Sequence, residues 1–369
     1  GCGAHGSAIG FLMAYEHMTF VEAVHDLAAR VGLTVPQENN AKQPSPIAGD
    51  IALPDIYHTL HLAQEYFTSQ LREHPHAQVA IEYLKRRGVS GQIARDFGIG
   101  YAPAGWDNLV RHLSDQTCTP DLIMAAGLAA RRENSTTCYD RFRDRIMFPI
   151  RDHRGRVIGF GGRVLGDDTP KYLNSPETSV FHKGKELYGL FDARKAQREV
   201  DRLIVVEGYM DVVALVQHGV TNTVATLGTA ATSHHLEKLY RAVQDIVFCF
   251  DGDNAGRQAA WRALEHTLPA IRDGRQAKFM FLPDGEDPDT YVRKVGAEGF
   301  LSGIGHAPTL SQFFWRSLET KTDATTLDGR ARLAELARPY LNSAPEGVFK
   351  DMMLDAKKHP EKYPYLSVR

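Results

Sequence analysis

The stretch LIVVEGYMDVV (residues 203–213) joins a short apolar run to a glutamate, a glycine and the start of a helical pattern. The run from Leu203 to Val206 is apolar on both faces, as expected of a strand buried inside a sheet. Glu207 then places a carboxylate at the end of that strand, where burial is costly unless a cation meets the charge. The stretch therefore predicts a strand, a turn and a helix, with a cation site at the turn.

Three further apolar runs follow the first one along the chain. Roughly ten or more residues of helical pattern separate successive runs. The runs are TVATL (223–227), IVFCF (246–250) and KFMFL (278–282). Strands that are apolar on both faces and alternate with helices favour a parallel sheet covered by helices on both sides. We therefore predict an α/β domain over residues 201–283.

Acidic residues follow three of these four runs. They are Glu207 after the first run, Asp251 and Asp253 in DGDNAG after the third, and Asp287 and Asp289 in PDGEDPD after the fourth. Ligands of parallel sheets bind beyond the carboxyl ends of the strands, so we expect the five carboxylates to meet at one edge. Gathered there they would repel one another unless cations bind, and such oxygen ligands suit Mg²⁺ or Mn²⁺. We predict that all five are metal ligands.

Each acid taken alone also has an ordinary structural explanation. Asp-Gly is a common turn, and an acid at the start of a helix often caps it. Asp211, one turn into the helix after Glu207, either supports the site from behind or complements the N-terminus of the helix. Only the recurrence of acids on successive strand ends favours a metal site.

The chain before residue 201 shows two other patterns. Residues 37–54 are rich in proline and lack a helical period until their end, which predicts a linker. Residues 55–200 begin as a mostly helical segment, in which TPDLIMAAG (119–127) has a capping threonine, a proline at the first helical position and a terminal glycine. RIMFPIRDHRGRVIGFGGRVL (145–165) then predicts two strands joined by a tight turn.

A basic segment overlaps this hairpin. Between residues 131 and 163 the chain has nine arginines and four acids. Arg141 and Arg143 lie two residues apart, so an extended strand would present both on one side, and Arg163 lies on the second hairpin strand. Arginines along a strand can bind the phosphates of a single-stranded template, although for any one of them a solvated basic strand is about as good an explanation.

The composition excludes several classes of protein. The 369 residues are 43% hydrophobic and 24% charged, which is typical of a globular protein. The four cysteines are scattered, which favours a reducing cytoplasm over a disulfide framework. No apolar run approaches the ~18 residues that a membrane span requires. We expect a cytoplasmic protein of two or three domains with no membrane partner.

Three of the quoted motifs together resemble the Toprim domain, which topoisomerases, some nucleases, RecR-type repair proteins and bacterial primases share. They are EGYMDV (207–212), FDGDNAGRQAA (250–260) and LPDGEDPD (282–289). The segment KYLNSPETSVFHKGKELYGL (171–190) resembles the DnaG-type bacterial DNA primases, and GCGAHGSAIGFLM (1–13) resembles the end of their zinc ribbon. The resemblance covers roughly residues 1–315 in the order of the family.

This resemblance implies a DNA primase of the bacterial replication fork. Such an enzyme copies single-stranded DNA into a short RNA primer from ribonucleoside triphosphates by two-metal nucleotidyl transfer. By position, Glu207, Asp251 and Asp253 would be the catalytic metal ligands, and Asp287 and Asp289 would support them. Four further residues fall in stretches that the family uses around nucleotides: Lys171, Asn174, Lys183 and Tyr209.

The resemblance also sets expectations for the two ends of the chain. Cys2 would be an orphan zinc ligand in a remnant of the zinc-binding domain at 1–36, with Zn²⁺ bound only in a longer parent protein. Residues 284–369 would form the metal loop and a helical subdomain, with a tail at 350–369 unlike the family. No helicase-binding domain is recognised, so we expect contact with a replicative helicase only in the parent.

Two alternative functions remain open at this point. A Toprim topoisomerase or nuclease would cut DNA instead of making RNA, although a topoisomerase needs a further domain with a catalytic tyrosine. A non-catalytic, RecR-like mediator would bind DNA, but it would need fewer acids than the five present. Metal-dependent incorporation of ribonucleotides separates the three functions.

Overall fold

The structure is a computed structural model that describes most of the chain. The described residues are 51–131, 137–166, 169–197, 200–228, 230–323 and 325–358, together with Ser7, Ala8 and Leu27. The fold below is that of residues 51–369, which form one compact unit. Cys2, most of the predicted zinc-domain remnant at 1–36 and most of the predicted linker at 37–54 lie outside the described residues.

A helical segment opens this unit, as predicted. Its helices are α1 (Leu53–Glu73), α2 (Ala77–Arg86), α3 (Gly91–Phe97), α4 (Asn108–Asp115) and α5 (Pro120–Ala125). The predicted signals of α5 are confirmed, since the Thr119 side chain accepts a hydrogen bond from the N–H of Leu122 and Gly127 adopts a φ of 71°.

A four-stranded antiparallel sheet follows. Its strands are β1 (Gly100–Ala102), β4 (Arg145–Arg151), β5 (Val157–Val164) and β6 (Tyr172–Asn174), in the order β1-β4-β5-β6. The predicted hairpin is confirmed as β4 and β5. Two short strands, β2 (Ala129–Arg131) and β3 (Cys138–Asp140), pair with each other beside it.

The parallel sheet is also confirmed. It contains β8 (Arg202–Val206), β9 (Thr223–Thr226), β10 (Asp245–Phe250) and β11 (Gln276–Phe281), and its order is β11-β10-β8-β9-β7. The connecting helices are α7 (Tyr209–Gln217), α8 (Ser233–Ala242) and α9 (Asn254–Thr267). The edge strand β7 (Leu187–Tyr188), which leads into α6 (Leu190–Ala196), is antiparallel to β9 and comes from the chain before residue 201.

The two faces of the parallel sheet belong to two separate apolar clusters. Ile204 and Val206 pack into a cluster that also contains Phe148 and Ile158 of the antiparallel sheet. The intervening residues of β8 pack into a second cluster, on the opposite face. Alternate residues of a strand point to opposite faces, so burial on both sides explains why these runs are apolar throughout.

A helical subdomain closes the described chain, as predicted. After the short 3₁₀ turn Leu268–Ala270 and β11, it consists of α10 (Pro288–His306), α11 (Leu310–Glu319), α12 (Leu327–Ser343) and α13 (Val348–Lys358). The last three of these helices pack against the second apolar cluster through Phe314, Leu341 and Met353. Among the described helices, none combines the length and the apolar character needed to cross a membrane.

Candidate active site

The strand order of the parallel sheet reverses between β8 and β10. The chain leaves β8 for β9 on one side and reaches β10 on the other side. Glu207 directly follows β8 and Asp251 directly follows β10. Loops diverge at such a switch point and open a crevice beyond the carboxyl ends of the strands. The sequence therefore places two of its acids on either side of the position where a ligand is expected.

The loop after β10 packs tightly against the loop after β11. A Cβ added to Gly252 would lie 2.2 Å from the carbonyl oxygen of Leu282, and one added to Gly256 would lie 2.2 Å from the carbonyl oxygen of Asp251. Both distances are far below van der Waals contact, so only glycine fits. This close approach brings the acids of DGDNAG next to those of PDGEDPD.

Two of these acids also cap helices. Oδ1 of Asp253 accepts a hydrogen bond of 2.7 Å from the N–H of Gly256 at the start of α9. Oδ1 of Asp287 accepts one of 2.7 Å from the N–H of Thr290 at the start of α10. Helix capping therefore accounts for one carboxylate oxygen of Asp253 and one of Asp287. The second oxygen of each carboxylate can still bind a ligand.

The carboxylates at this edge repel one another. Desolvation by the surrounding loops and the charges of Asp251 and Asp253 raise the pKa of Glu207. Burial and the charges of Asp287 and Asp253 raise the pKa of Asp251. Burial, Asp287 and Asp251 raise the pKa of Asp211 to about 8, although the N–H of Gly208 donates to it at 3.1 Å. We name these five acids the acidic crevice: Glu207, Asp211, Asp251, Asp253 and Asp287.

The donor set of the acidic crevice fits a hard divalent cation. Its side chains offer only carboxylate oxygens, as Mg²⁺ and Mn²⁺ prefer, and burial and repulsion among the acids outweigh the charge of Arg262, which lowers the pKa of Glu207. Within the described ranges, no three His, Cys, Asp or Glu side chains already stand at metal-binding distances. The metal-ligand assignments therefore stay predictions.

Asp289 differs from the other predicted ligands. Its side chain is 1% exposed, and Nη1 of Arg87 donates to its Oδ2 at 2.6 Å. Nε of Arg293 lies 3.0 Å from its Oδ1. Two guanidinium groups of the chain itself thus face this buried carboxylate, unlike the acids of the crevice, and its role as a metal ligand stays a prediction.

Asn174 and Tyr209 form one hydrogen-bonded unit beside this edge. The Asn174 side chain donates to the carbonyl of Leu227, directly after β9, at 2.9 Å. The Tyr209 hydroxyl donates to Oδ1 of Asn174 at 2.5 Å. Tyr209 is 4% exposed, and a Cβ at Gly161 would lie 2.4 Å from its ring. Tyr209 is therefore tightly packed and its hydroxyl orients Asn174, while its nucleotide contact stays a prediction.

The predicted lysines lie on the loops next to this unit. The backbone N–H of Lys183 donates to Glu177 at 2.9 Å, and its carbonyl oxygen lies 3.3 Å from Nε2 of His235 in α8. Its half-buried side chain is therefore carried on a segment tied to the loop after β9. Lys171, just before β6, is exposed.

The predicted pair of template arginines does not lie on a strand. Arg141 and Arg143 come after the end of β3, in irregular chain where Asp144 has a φ of 49°. Burial lowers the pKa of Arg141. Arg143 turns back to donate to the carbonyl of Asp140 and stacks 4.3 Å from the ring centre of Trp106. The prediction of two arginines along one strand face is therefore wrong.

Arg163 is placed on β5 as predicted, but it faces protein. It is 9% exposed, its Nη1 donates to the hydroxyl of Tyr172 at 2.7 Å, and it stacks 4.8 Å from the ring centre of Tyr83. In this structure the Arg163 guanidinium is held by Tyr83 and Tyr172, and its contact with template stays a prediction.

Comparisons with known proteins identify the family. Four family models match in chain order: the CHC2 zinc finger over residues 1–43, the DNA primase catalytic core N-terminal domain over 66–194, the Toprim-like model over 204–292 and the DnaB-helicase binding domain of primase over 311–356. The last match corrects the expectation that no helicase-binding domain is present. It also includes residues 350–356, so these are not foreign to the family.

The chain is similar to the DNA primase of Pseudomonas putida strain KT2440, with 51% identity over 97% of this chain and 54% of that protein. It thus spans about half the length of the curated relatives it matches. The crystal structure of a DNA primase domain from Pseudomonas aeruginosa is 51% identical, with a TM-score of 0.79 over 82% of this chain and 95% of that one.

A DnaG primase catalytic domain bound to single-stranded DNA is 48% identical, with a TM-score of 0.76 over 83% of this chain and 98% of that one. The chain belongs to the DnaG-type family of bacterial DNA primases.

Proposed function

We propose that this chain is the RNA polymerase part of a bacterial primase and makes short RNA primers on single-stranded DNA. The observation that carries the proposal is the acidic crevice, whose repelling carboxylates sit at the switch point of a parallel sheet. Family membership selects this function over a topoisomerase, a nuclease or a RecR-like mediator, since the matched relatives are DNA primases.

The residues of the crevice would hold two divalent cations. Glu207, Asp251 and Asp253 would supply the central oxygens, and Asp287 would supply a supporting one. Bound Mg²⁺ or Mn²⁺ lowers the pKa of a ribose 3′-hydroxyl and stabilises the departing pyrophosphate. The new bond joins the 3′-oxygen to the α-phosphorus, the bond to pyrophosphate breaks, and the hydroxyl proton leaves to solvent.

The neighbouring loops would bind the nucleotide and the template. Lys183 and Lys171 carry positive charge beside the crevice, where triphosphate oxygens would lie. Asn174, which Tyr209 orients, would position the ribose or a phosphate. Arg141 and Arg143 remain candidates for template contact through loops, since the relative bound to single-stranded DNA shares this fold.

The regions at the two ends extend the proposal. In a longer parent protein, Cys2 would be one of four zinc ligands, since structural zinc sites need four and Cys2 is the only cysteine in the matched residues 1–43. Residues 311–356 would contact a replicative helicase, as their family match suggests. We keep the division at 1–36, 37–54, 55–200, 201–283 and 284–369 as a proposal, and we place the protein at the cytoplasmic replication fork.

The test is incorporation of labelled ribonucleotides on single-stranded DNA with Mg²⁺ or Mn²⁺. Asp251→Asn keeps the size of the side chain and removes one central charge, so it should lower incorporation by at least about 100-fold. Asp284→Asn is the matched control, because Asp284 is an exposed acid on the loop that precedes Asp287. It should leave incorporation unchanged.

A preformed primer separates initiation from extension in the same assay. Extension without initiation would support the proposed polymerase site and assign the defect to the ends of the chain. Metal-dependent DNA cleavage without any RNA synthesis would overturn the proposal in favour of a nuclease, and so would equal losses in both variants.

A further inference from the structure

We propose that Arg87 is a positioning residue for the acidic crevice, which it serves by holding Asp289 and with it the first turn of α10. The inference rests on the proposed function, because it names a residue that sets the geometry of the same metal site. It assigns Asp289 the role of an anchor, in place of the metal-ligand role predicted from the sequence.

The contact is short and shielded from water. Nη1 of Arg87 and Oδ2 of Asp289 are 2.6 Å apart, and the side chains are 25% and 1% exposed. Arg87 follows the last residue of α2, while Asp289 is the second residue of α10. A charge-assisted hydrogen bond of this kind is much stronger than one on an open surface. It joins two elements 202 residues apart.

Arg293 reinforces the same junction from the α10 side. Its Nε donates to the carbonyl of Asp289 at 3.3 Å and lies 3.0 Å from Oδ1 of the same residue. Its Nη1 donates to the carbonyl of Arg86 at the end of α2 at 3.4 Å. Arg87 and Arg293 therefore connect the end of α2 to the first turn of α10 through Asp289. These contacts limit rotation of α10 about its first turn.

The orientation of that turn decides where Asp287 points. Asp287 caps α10 and lies two residues before Asp289, separated from it by the rigid ring of Pro288. Asp287 is the leading charge that acts on both Asp251 and Asp211. A shift at Asp289 would thus move a carboxylate relative to the centre of the crevice. Groups behind metal ligands typically change metal affinity by 10–100-fold when removed.

The test measures Mn²⁺ binding to the chain directly, by electron paramagnetic resonance of free Mn²⁺. Arg87→Ala should raise the Kd for Mn²⁺ by about tenfold. Arg87→Lys keeps a charge but cannot reproduce the reach of guanidinium, so its Kd should lie between wild type and Arg87→Ala. Arg86→Ala is the matched control, since Arg86 is the exposed neighbour on the same helix, and its Kd should equal that of wild type.

A double variant distinguishes an anchor from a ligand. If Asp289 acts through Arg87, the Kd of Arg87→Ala/Asp289→Asn should equal that of Asp289→Asn alone. Multiplying effects would show that Asp289 binds the metal itself and would overturn the inference. An unchanged Kd in folded Arg87→Ala or Arg87→Lys, checked by circular dichroism, would do the same.

The outcomes also separate this inference from the proposed function. RNA synthesis by the wild type together with unaltered Mn²⁺ binding in the Arg87 variants would overturn the inference alone. Weakened Mn²⁺ binding in those variants with no RNA synthesis by the wild type, on any template or primer, would support the inference and overturn the proposed function.

Discussion

The acidic crevice and the Asp289 cluster are two ways of placing carboxylates at one edge of a sheet. In the crevice, Glu207 and Asp251 face other acids, and their pKa values are raised. A few residues away, Asp289 is almost fully buried but has Arg87 and Arg293 against it. Carboxylates therefore repel one another in the crevice, whereas the carboxylate of Asp289 is attracted to two arginines.

This difference teaches how to tell a ligand site from an anchor. Burying a carboxylate costs free energy unless a partner compensates it. Asp289 finds cationic partners within the chain: Arg87 donates a hydrogen bond to its Oδ2, and Arg293 lies 3.0 Å from its Oδ1, which accepts no hydrogen bond from the described residues. In the crevice, burial and repulsion between the acids outweigh the opposing charge of Arg262 on Glu207, which is expected of a site that takes its cations from solution.

The largest expected effect is on the free energy of unfolding, and it tests the comparison between Asp289 and the acidic crevice directly. Asp289→Asn should lower the free energy of unfolding by about 3 kcal/mol, because it leaves two partly buried guanidinium groups facing a neutral amide. Asp251→Asn should leave the stability of the metal-free protein unchanged or raise it, because it removes a charge that Asp287 and Asp253 repel. Urea unfolding at pH 7 in EDTA measures both.

A loss of stability in Asp289→Asn without a loss in Asp251→Asn would support the distinction between anchor and ligand site. Equal destabilisation by the two substitutions would contradict it, since Asp251 would then be a structural acid as well.

A smaller effect should come from the glycine that lets the two acid-bearing loops touch. Gly252→Ala places a Cβ 2.2 Å from the carbonyl oxygen of Leu282, so one loop must move, at a cost of about 2 kcal/mol. Gly305→Ala is the control, because its Cβ meets nothing within 4 Å. Thermal unfolding should show a lower Tm only for Gly252→Ala. A Tm equal to that of wild type would show that the loops do not need this approach.

The smallest effect concerns His235, a third kind of buried ionisable group that stays neutral. Burial lowers its pKa to about 4, below the ordinary value of 6.5. Below pH 6.5 the unfolded chain therefore binds a proton that the folded chain excludes, and stability falls as the pH drops towards 4. At pH 5.5 the loss should be about 1 kcal/mol.

His235→Gln should flatten this pH dependence in urea unfolding between pH 7 and 5. The exposed neighbour offers a control, since His234→Gln should keep the slope of the wild type. A wild-type slope in His235→Gln would mean that other groups cause the acid sensitivity.

Much of this molecule was predictable from local sequence. The four parallel strands, the hairpin and the capped helix α5 all appear within a residue or two of their predicted positions. The family match corrected the expectation about the helicase-binding region, where neither periodicity nor composition carried a signal. The prediction of an arginine-bearing strand was wrong because alternation along 141–143 was assumed, whereas the chain bends at Asp144.

The sequence by itself determined which elements form and which strand ends carry acids, because hydrophobic period, caps and turns depend on neighbours a few residues apart. Only the tertiary structure decided that Asp289 pairs with Arg87 and that the Tyr209 hydroxyl donates to Asn174. It also decided that Arg163 lies among aromatic rings. Each of these pairings joins separate elements, so its partner is chosen by packing. A buried charge looks the same in sequence whether a distant arginine or a dissolved cation will neutralise it.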